Sequence, residues 1–203
     1  MAWKNDQVSA EETDKIIETA RKCLAVRGDF VELGCYRGDT SLLLAEVLRE
    51  YNSGLVENSV EKPVKKLWIY DSFEGLPEKN SKDLSELGKE FREGELMVTK
   101  KEVKQRFLRA GLPVPIIKKK WFNELTGEDV PSEVAFAFLD GDFYESIKDS
   151  IKAVADKMAE NSVMIVHDYS NAALPGVMKA VDEWRAASGK SIEIYKTMAI
   201  MHW

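Results

Sequence analysis

Carboxylates and a histidine follow two apolar segments of the 203-residue chain, and such residues can bind a cation and move a proton. Asp140 and Asp142 follow the first segment, and His167 and Asp168 follow the second. Mg²⁺ prefers one or two carboxylates, with waters and substrate oxygens completing its octahedron. A cation at Asp140, His167 and Asp168 could hold a hydroxyl-bearing substrate and lower the pKa of that hydroxyl. Asp142 would then be close enough to accept the proton.

Structural interpretations of the same residues stay open. Asp142 could be the N-cap of a helix that starts near Tyr144, and Asp168 could terminate a strand. His167 could lie at the rim without a ligand role, and His202 is interpreted as structural.

A second candidate site starts at Glu32 and contains Gly34 and Gly38. Glycines let the backbone turn tightly and approach a ligand closely. Their G-x-x-x-G spacing differs from the G-x-G-x-x-G of dinucleotide sites, so a pyrophosphate cradle is not expected. An acidic residue two positions before the first glycine suits a cationic ligand end, such as the amino group and sulfonium of S-adenosylmethionine (SAM). An ordinary turn between a strand and a helix is the alternative.

Asp71 ends another apolar segment, where a carboxylate could accept hydrogen bonds from both ribose hydroxyls. It lies farther along the chain than the usual ~20 residues, which a loop over 52–65 would explain. It could instead cap a helix or lie solvated in a loop. Glu32 and Asp71 together favour a nucleoside site more than either residue alone.

The elements that must position these residues alternate between strands and helices. The hydrophobic patterns predict strands over 29–33, 66–71, 114–117, 134–139, 163–166, 191–195 and 198–203. Helices are predicted over 10–26, 40–51 and 99–110, from about 144, and around 177–184 with Pro175 near the start. Capping boxes at Ser9 with Glu12 and at Thr99 with Glu102 mark the first and third helices.

This alternation predicts an α/β fold, a Rossmann-like three-layer sandwich with a mostly parallel seven-stranded sheet. The last strand should run antiparallel, because two consecutive strands need a hairpin. Adjacent parallel strands lie about 4.8 Å apart, so Asp140, His167 and Asp168 would converge at one rim. We expect one domain over 1–203, with an N-terminal helical segment over 1–27. An excursion over 72–100, with at most one short helix, would lie over the acceptor site.

Composition restricts the function classes. Hydrophobic residues make up 44% and charged residues 32%, as in globular proteins. The net charge of -6 argues against a nucleic-acid groove. No apolar run approaches the roughly 20 residues that span a bilayer, and the N-terminal residues show no secretory signal, so we expect a cytoplasmic protein without a membrane partner. Cys23 and Cys35 have no metal-site spacing and are expected to be buried, reduced thiols.

The strand-end segments together resemble the macrocin O-methyltransferase family (TylF/MycF-like), a metal-dependent branch of the class I SAM methyltransferases. They occur in family order over about residues 28–185, and the DSFEGLP and DGDFYES segments are much more specific than the glycine loop. The matching segments are ELGCYRG at 32–38, YDSFEGLP at 70–77, WF at 121–122, LDGDFYES at 139–146 and HDY at 167–169.

The resemblance implies a SAM-dependent enzyme that methylates sugar hydroxyls on natural products, with Mg²⁺ at Asp140 and Asp168 and with Asp142 as the base. Asp71 would hold the ribose of SAM. The acceptor would be a small hydroxylated molecule, and the enzyme could be a homodimer. The implied cofactor-binding residues are Glu32, Gly34, Cys35, Tyr36, Gly38 and Thr40 at the methionine end, Asp71, Ser72 and Phe73 beside the adenosine, Trp121 and Phe122 near the adenine, and Asp140.

This chain departs from the family pattern in three places. His167 stands where the family usually has the first of two adjacent aspartates, and because imidazole is a softer ligand, the metal preference could shift toward Mn²⁺ or Zn²⁺. The turn at 160–162 lacks the family's Gly-Gly, which we expect to affect turn geometry only. About 27 residues precede the first strand, fewer than is common in the family, so the acceptor pocket would be more open or built from residues 76–100.

Three other functions stay open. A metal-dependent catechol-type enzyme that methylates a phenol would use the same cation chemistry. A NAD-binding oxidoreductase is disfavoured by the G-x-x-x-G spacing and the missing third glycine. A SAM-binding protein without catalysis, such as a partner subunit, stays open because of His167.

Overall fold

Seven strands form one mixed sheet in the computed structural model, which describes residues 7–57, 63–89 and 91–203. In chain order the strands are β1 Asp29–Leu33, β2 Leu67–Asp71, β3 Ile116–Lys119, β4 Val134–Leu139, β5 Met158–Val166, β6 Glu193–Tyr195 and β7 Met198–His202. Their spatial order is β3-β2-β1-β4-β5-β7-β6. The first five are parallel to one another, and β7 is antiparallel to both β5 and β6. The predicted fold class is confirmed.

Helices cover both faces of this sheet. They are α1 Ala10–Lys22, α2 Asp39–Glu57, α3 Lys100–Ala110, α4 Tyr144–Val154 and α5 Pro175–Ser188. Side chains alternate along a strand, so Phe136 and Phe138 of β4 pack with α1, α2 and α3 in one core. Ala137 and Leu139 pack with α4 and α5 in the other core. Such two-sided burial explains why β4 is a continuous apolar run.

Both predicted N-caps lie at helix starts, but of these two helices only α3 has a full capping box among the described residues. Thr99 and the Glu102 backbone and side chain form a reciprocal box at α3. The Ser9 hydroxyl accepts from the Glu12 N–H at α1. The buried Glu12 carboxylate also accepts from the N–H and hydroxyl of Thr197, in the β6–β7 turn. That contact ties α1 to the distant edge of the sheet.

Several predicted boundaries were wrong. Helix α2 continues to Glu57, so residues 52–57 are helical rather than loop, and residues 58–62 of the predicted loop lie outside the described residues. Burial of Leu55 and hydrogen bonds from the Asn52 side chain to the Lys65 backbone stabilise this extension. Strand β3 starts two residues late because Pro115 has no N–H to donate to the ladder.

Strand β5 also starts earlier than predicted, at Met158. Residues 160–162 are therefore part of β5 rather than a turn before it. Asn161 adopts a φ of 63° and donates its N–H to the Trp203 carbonyl. Asparagine tolerates this left-handed conformation, so it fills a position where a glycine would be expected.

The excursion between β2 and α3 contains one 3₁₀ turn, Glu86–Gly88, among its described residues; residue 90 lies outside them. Asp83 connects the excursion to the start of α4, because its carboxylate accepts from the Tyr144 N–H. The Ser85 hydroxyl donates to the Ala172 carbonyl. The excursion therefore lies along the N-termini of α4 and α5, at the carboxyl edge of the sheet.

None of the helices in the described ranges has the length and apolar character needed to cross a bilayer.

Candidate active site

The backbone ladder between the central strands continues past their ends and aligns the candidate residues. Gly34 donates to the Tyr70 carbonyl at 2.9 Å, Asp140 to Leu33 at 2.8 Å, and His167 to Leu139 at 2.9 Å. Gly34, Asp140 and His167 therefore lie side by side at the carboxyl edge. The strand order reverses between β1 and β4, which is where open α/β sheets bind ligands.

A cleft of about 1060 Å³, counting its open mouth, lies over this switch point. Most of the sequence-predicted site residues line it. They are Glu32, Gly34, Cys35, Tyr36, Thr40, Asp71, Ser72, Trp121, Phe122, Asp140, Asp142, His167 and Asp168. Gly38 and Phe73 are not among the lining residues. Gly38 accepts from Leu42 in the first turn of α2, and the Phe73 ring packs into the core beside Val103.

Asp71 shapes the loop after β1. Its Oδ2 accepts from the N–H groups of Cys35 at 2.9 Å and Tyr36 at 3.2 Å, and its Oδ1 accepts from Phe73 at 2.7 Å. The side chain is therefore neither a helix cap nor a solvated loop group. Two carboxylate oxygens offer about four acceptor positions, so one is left for a ligand hydroxyl.

The loop after β4 approaches Gly34 so closely that only glycine fits at this position. Gly34 has a φ of +89°, and a β-carbon there would lie 2.0 Å from the Asp140 carbonyl oxygen. From the other side, Arg106 of α3 donates to the Arg37 carbonyl at 2.7 Å and to the Asp39 carboxylate at 2.5 Å. The loop after β1 is thus held between the β4 loop and α3.

The Glu32 carboxylate is placed to bind a cationic ligand group. The residue is 1% exposed, and its Oε2 has no hydrogen-bond partner among the described residues. Burial raises the pKa of Glu32, the nearby Ser41 hydroxyl lowers it in part, and the charges of Asp140, Asp71 and Asp39 raise it further, to about 8. A cationic ligand group would supply the missing partner and favour the ionised form.

Asp140, His167 and Asp168 form a compact group whose ligand atoms all lie within 4.8 Å of one another. His167 Nδ1 lies 3.1 Å from Asp140 Oδ1 and 3.1 Å from Asp168 Oδ2. Burial lowers the pKa of His167, but the charges and hydrogen bonds of the two aspartates outweigh burial and raise it well above its usual value. Burial raises the pKa of Asp168, but His167 and the Asn171 side chain reverse this and lower it overall.

Asp142 is half-buried and has a left-handed backbone, with a φ of 61°. Burial and the charges of Asp140 and Asp168 raise its pKa well above the usual aspartate range. It does not cap α4, because the N-cap position is Phe143 and the Tyr144 N–H is bound by Asp83. The alternative role of Asp142 as a helix cap is therefore wrong.

Non-glycine residues with positive φ follow four adjacent strands. Tyr36, Phe73, Asp142 and Asp168 lie after β1, β2, β4 and β5, with φ between 44° and 61°. Each costs on the order of 1 kcal/mol or more, and such strain concentrates at functional sites.

The cleft also contains residues that sequence reasoning missed. Asn171 donates to Asp168 Oδ1 at 2.9 Å. The only sequence signal for this role was its position three residues after an aspartate. Gln7 and Val8 approach from the far N-terminus, which no local pattern predicts. The excursion contributes Leu76, Pro77, Phe91 and Leu96.

The lining of the cleft is strongly acidic. Its described residues include no lysine or arginine. The carboxylates that line it are Glu32, Asp39, Asp71, Asp140, Asp142 and Asp168. Such a site attracts cations and repels free phosphates.

An open α/β sheet with a ligand cleft at its switch point defines a Rossmann-like domain. The family model for macrocin O-methyltransferase (TylF) matches residues 10–200, and the chain belongs to that family, as the motifs predicted.

Two Streptomyces enzymes are similar in sequence. One is the 8-demethyl-8-(2,3-dimethoxy-α-L-rhamnosyl)-tetracenomycin-C 4′-O-methyltransferase of Streptomyces olivaceus, 30% identical over 172 residues, or 82% of this chain. The other is the demethyldecarbamoylnovobiocin O-methyltransferase of Streptomyces niveus, 28% identical over 183 residues, or 85% of this chain. The matches span 61% and 66% of those enzymes.

Solved structures share the fold. The O-methyltransferase NovP has a TM-score of 0.73 at 25% identity, over 92% of this chain and 78% of NovP. The calicheamicin methyltransferase CalS11 has a TM-score of 0.77 at 17% identity, over 99% and 81%. The second likeness concerns the fold alone.

Proposed function

We propose that this chain is a SAM-dependent O-methyltransferase that methylates a hydroxyl of a small molecule, a sugar or another natural product, with the help of a divalent cation. The observation that carries the proposal is the acidic cleft at the switch point, in which Glu32 Oε2 is buried with no hydrogen-bond partner in the part of the chain that the structure describes. Membership of the TylF family and the two Streptomyces relatives support the same reaction.

The residues present fit SAM better than a dinucleotide. Glu32 would bind the cationic amino end of the cofactor, and Asp71 has acceptor capacity left for a ribose hydroxyl. Trp121 and Phe122 would pack near the adenine. A dinucleotide pyrophosphate would sit at the N-terminus of α2, but the buried Asp39 carboxylate, paired with Arg106, already occupies that first turn.

The cluster of Asp140, His167 and Asp168 fits a divalent cation. Two carboxylates and one imidazole suit Mn²⁺ or Zn²⁺ as well as Mg²⁺. His167 must give up the proton that it shares with the aspartates before Nδ1 can become a ligand. A bound cation would lower the pKa of an acceptor hydroxyl.

When bound, SAM supplies an electrophilic methyl group on a cationic sulfur. The chain has to place the acceptor oxygen in line with that methyl group and remove its proton. Asp142 is the base in this proposal, because burial and the neighbouring aspartates raise its pKa and so make its carboxylate a stronger base than an ordinary aspartate. Leu76, Phe91 and Leu96 would exclude water from the acceptor.

Calorimetric titration with SAM, S-adenosylhomocysteine (SAH) and NAD, with and without Mg²⁺ or Mn²⁺, tests the cofactor and the cation. We expect SAM and SAH to bind and NAD not to bind. NAD binding without SAM binding would overturn the proposal. SAM binding that ignores the cation, with turnover independent of it, would overturn the cation part alone.

A screen of acceptors for SAH release tests the reaction. It should pair glycosides that carry free sugar hydroxyls with simple catechols, because these separate sugar methylation from catechol-type phenol methylation. Asp142→Asn is the matched variant, and we expect it to bind SAH normally and to lose turnover. SAM binding without release of SAH from any member would favour a non-catalytic SAM-binding protein.

A further inference from the structure

The N-terminus of α4 is capped by a residue from a distant part of the chain. Phe143 occupies the N-cap position and offers no capping side chain. Asp83, in the excursion, is 2% exposed, and its Oδ1 accepts from the Tyr144 N–H at 2.7 Å. Its Oδ2 accepts from the Asn80 N–H at 3.2 Å, which fixes the carboxylate within the excursion.

The same carboxylate lies against the start of α5. A β-carbon on Gly176 would come within 1.8 Å of Asp83 Oδ1 and 2.8 Å of the Tyr144 nitrogen. Glycine at 176 therefore leaves the space in which Asp83 lies between two helix N-termini. Both helix dipoles stabilise an anion there.

Each of these helices follows a loop that carries candidate catalytic groups. Helix α4 follows Asp140 and Asp142, and α5 follows His167 and Asp168. Asp83 itself belongs to the segment whose Leu76, Phe91 and Leu96 line the cleft. One carboxylate thus binds within the excursion, which contributes part of the cleft wall, and contacts the N-termini of the two helices that follow the acidic loops.

We propose that Asp83 is a positioning residue, which couples the excursion to the geometry of the Asp140–Asp142 and His167–Asp168 loops. By capping α4 it also leaves Asp142 free to face the cleft. The catalytic consequence rests on the proposed function, whereas the structural coupling does not. Ser85 offers the contrast, because it ties the excursion to Ala172 and caps only the 3₁₀ turn Glu86–Gly88, not α4 or α5.

Four variants test the coupling: Asp83→Ala, Asp83→Asn, Gly176→Ala and, as the matched control, Ser85→Ala. Amide hydrogen exchange of the ligand-free protein is measured in peptides that cover 140–148 and 167–178. Loss of a helix cap should speed exchange in both peptides about tenfold for Asp83→Ala. Gly176→Ala should also speed exchange in both peptides although Asp83 is kept, because the new β-carbon would displace the Asp83 carboxylate. Alanine forms helices better than glycine, so helix propensity would not explain faster exchange.

Asp83→Asn should retain wild-type exchange within about threefold, because its amide oxygen can still accept from Tyr144. Ser85→Ala removes a contact to Ala172 and should leave the 140–148 peptide unchanged. Faster exchange confined to residues 77–89 in Asp83→Ala would overturn the proposal, and so would equal effects of Asp83→Ala and Ser85→Ala. A uniform increase across the whole protein would also overturn it, since that indicates general destabilisation.

SAH titration separates this proposal from the proposed function. If the wild type binds no SAH, the proposed function fails, and the exchange pattern still decides the role of Asp83. With an acceptor from the screen, Asp83→Ala should lower kcat at least about tenfold and leave the KM for SAM within twofold. Asp83→Asn should restore most of kcat, and a change in the KM for SAM alone would contradict positioning.

Discussion

The loops after β1 and β2 are held mainly by side chains that bind backbone groups, whereas the charged side chains at the ends of β4 and β5 also bind one another. In the first region, the nucleoside half, Asp71 accepts three N–H groups and Arg106 binds a carbonyl. In the second region, the acidic half, His167 lies between Asp140 and Asp168.

This difference separates two physical tasks. A backbone framework holds a cofactor in one fixed shape, and it depends little on pH. A set of coupled charges can exchange a proton for a cation, so its state depends on what is bound. The two halves should therefore respond separately to mutation, except where they touch.

Gly34→Ala should disrupt both the nucleoside half and the acidic half, and it should have the largest effect on stability. The new β-carbon would lie 2.0 Å from the Asp140 carbonyl, at a φ that alanine disfavours. We expect a loss of about 4 kcal/mol in the free energy of unfolding, measured by chemical denaturation.

Gly54→Ala is the control for this change. A β-carbon at Gly54 meets no described atom within 4 Å, and the residue lies inside α2. We expect it to keep or raise stability by roughly 0.5–1 kcal/mol. Equal stability of the two variants would contradict the close contact at Gly34.

Asp71→Ala should damage the nucleoside half selectively. The amides of Cys35, Tyr36 and Phe73 would lose a charged acceptor, and SAH affinity should fall about 100-fold by calorimetry. Mn²⁺ affinity should change little. Asp168→Ala is the reciprocal variant, expected to lose Mn²⁺ binding and keep SAH binding. Parallel losses of both ligands in both variants would show that the halves do not act separately.

His167→Asp should strengthen Mg²⁺ binding in the acidic half. It places a hard oxygen ligand at the position of the imidazole, so we expect Mg²⁺ to bind at least about tenfold more tightly. Without a cation, three neighbouring carboxylates should destabilise the fold by roughly 1–3 kcal/mol. His167→Asn removes the positive imidazole without adding a carboxylate, so it should raise Mg²⁺ affinity less and destabilise the fold less than His167→Asp. Unchanged Mg²⁺ affinity in His167→Asp would argue against a cation site.

Glu32 gives the smallest effect and the one pH dependence expected in the nucleoside half. With a pKa of about 8, its ionised fraction grows about fivefold between pH 7 and pH 8, and SAH affinity should rise by that factor. Glu32→Gln should remove the pH dependence. A wild-type affinity that is flat over this range would contradict the assignment of Glu32 to the amino group.

The same shift has a consequence for stability. The folded protein holds the Glu32 proton up to about pH 8, whereas the unfolded chain releases it near 4.5. This residue therefore makes the ligand-free fold less stable as pH rises from about 4.5 to 8. Glu32→Gln should have a shallower fall in stability over that range, measured by denaturation at each pH.

The sequence predicted most of the fold because its signals are local. Strand β4 is an unbroken apolar run, and the N-caps at Ser9 and Thr99 require only neighbouring residues. The predictions failed where distant contacts decide an element. The far end of α2, for example, depends on hydrogen bonds between Asn52 and Lys65, which are 13 residues apart.

The candidate site divides in the same way. Residue type and strand-end position were enough to select Glu32, Asp71, Asp140, Asp142, His167 and Asp168. They could not show that Asp71 binds the backbone of the neighbouring loop, because Cys35 and Asp71 are 36 residues apart. They also favoured Asp142 as one possible cap of α4, the place that Asp83 takes.

The sequence by itself determined the elements, the family and the chemical types at the strand ends, since these depend on periodicity and short motifs. The tertiary structure alone decided which charges meet: His167 with two aspartates, Arg106 with Asp39, and Asp83 with the N-termini of two helices. The physical reason is that electrostatic and steric contacts act through distances in space. Separation along the chain does not specify those distances until the sheet has formed.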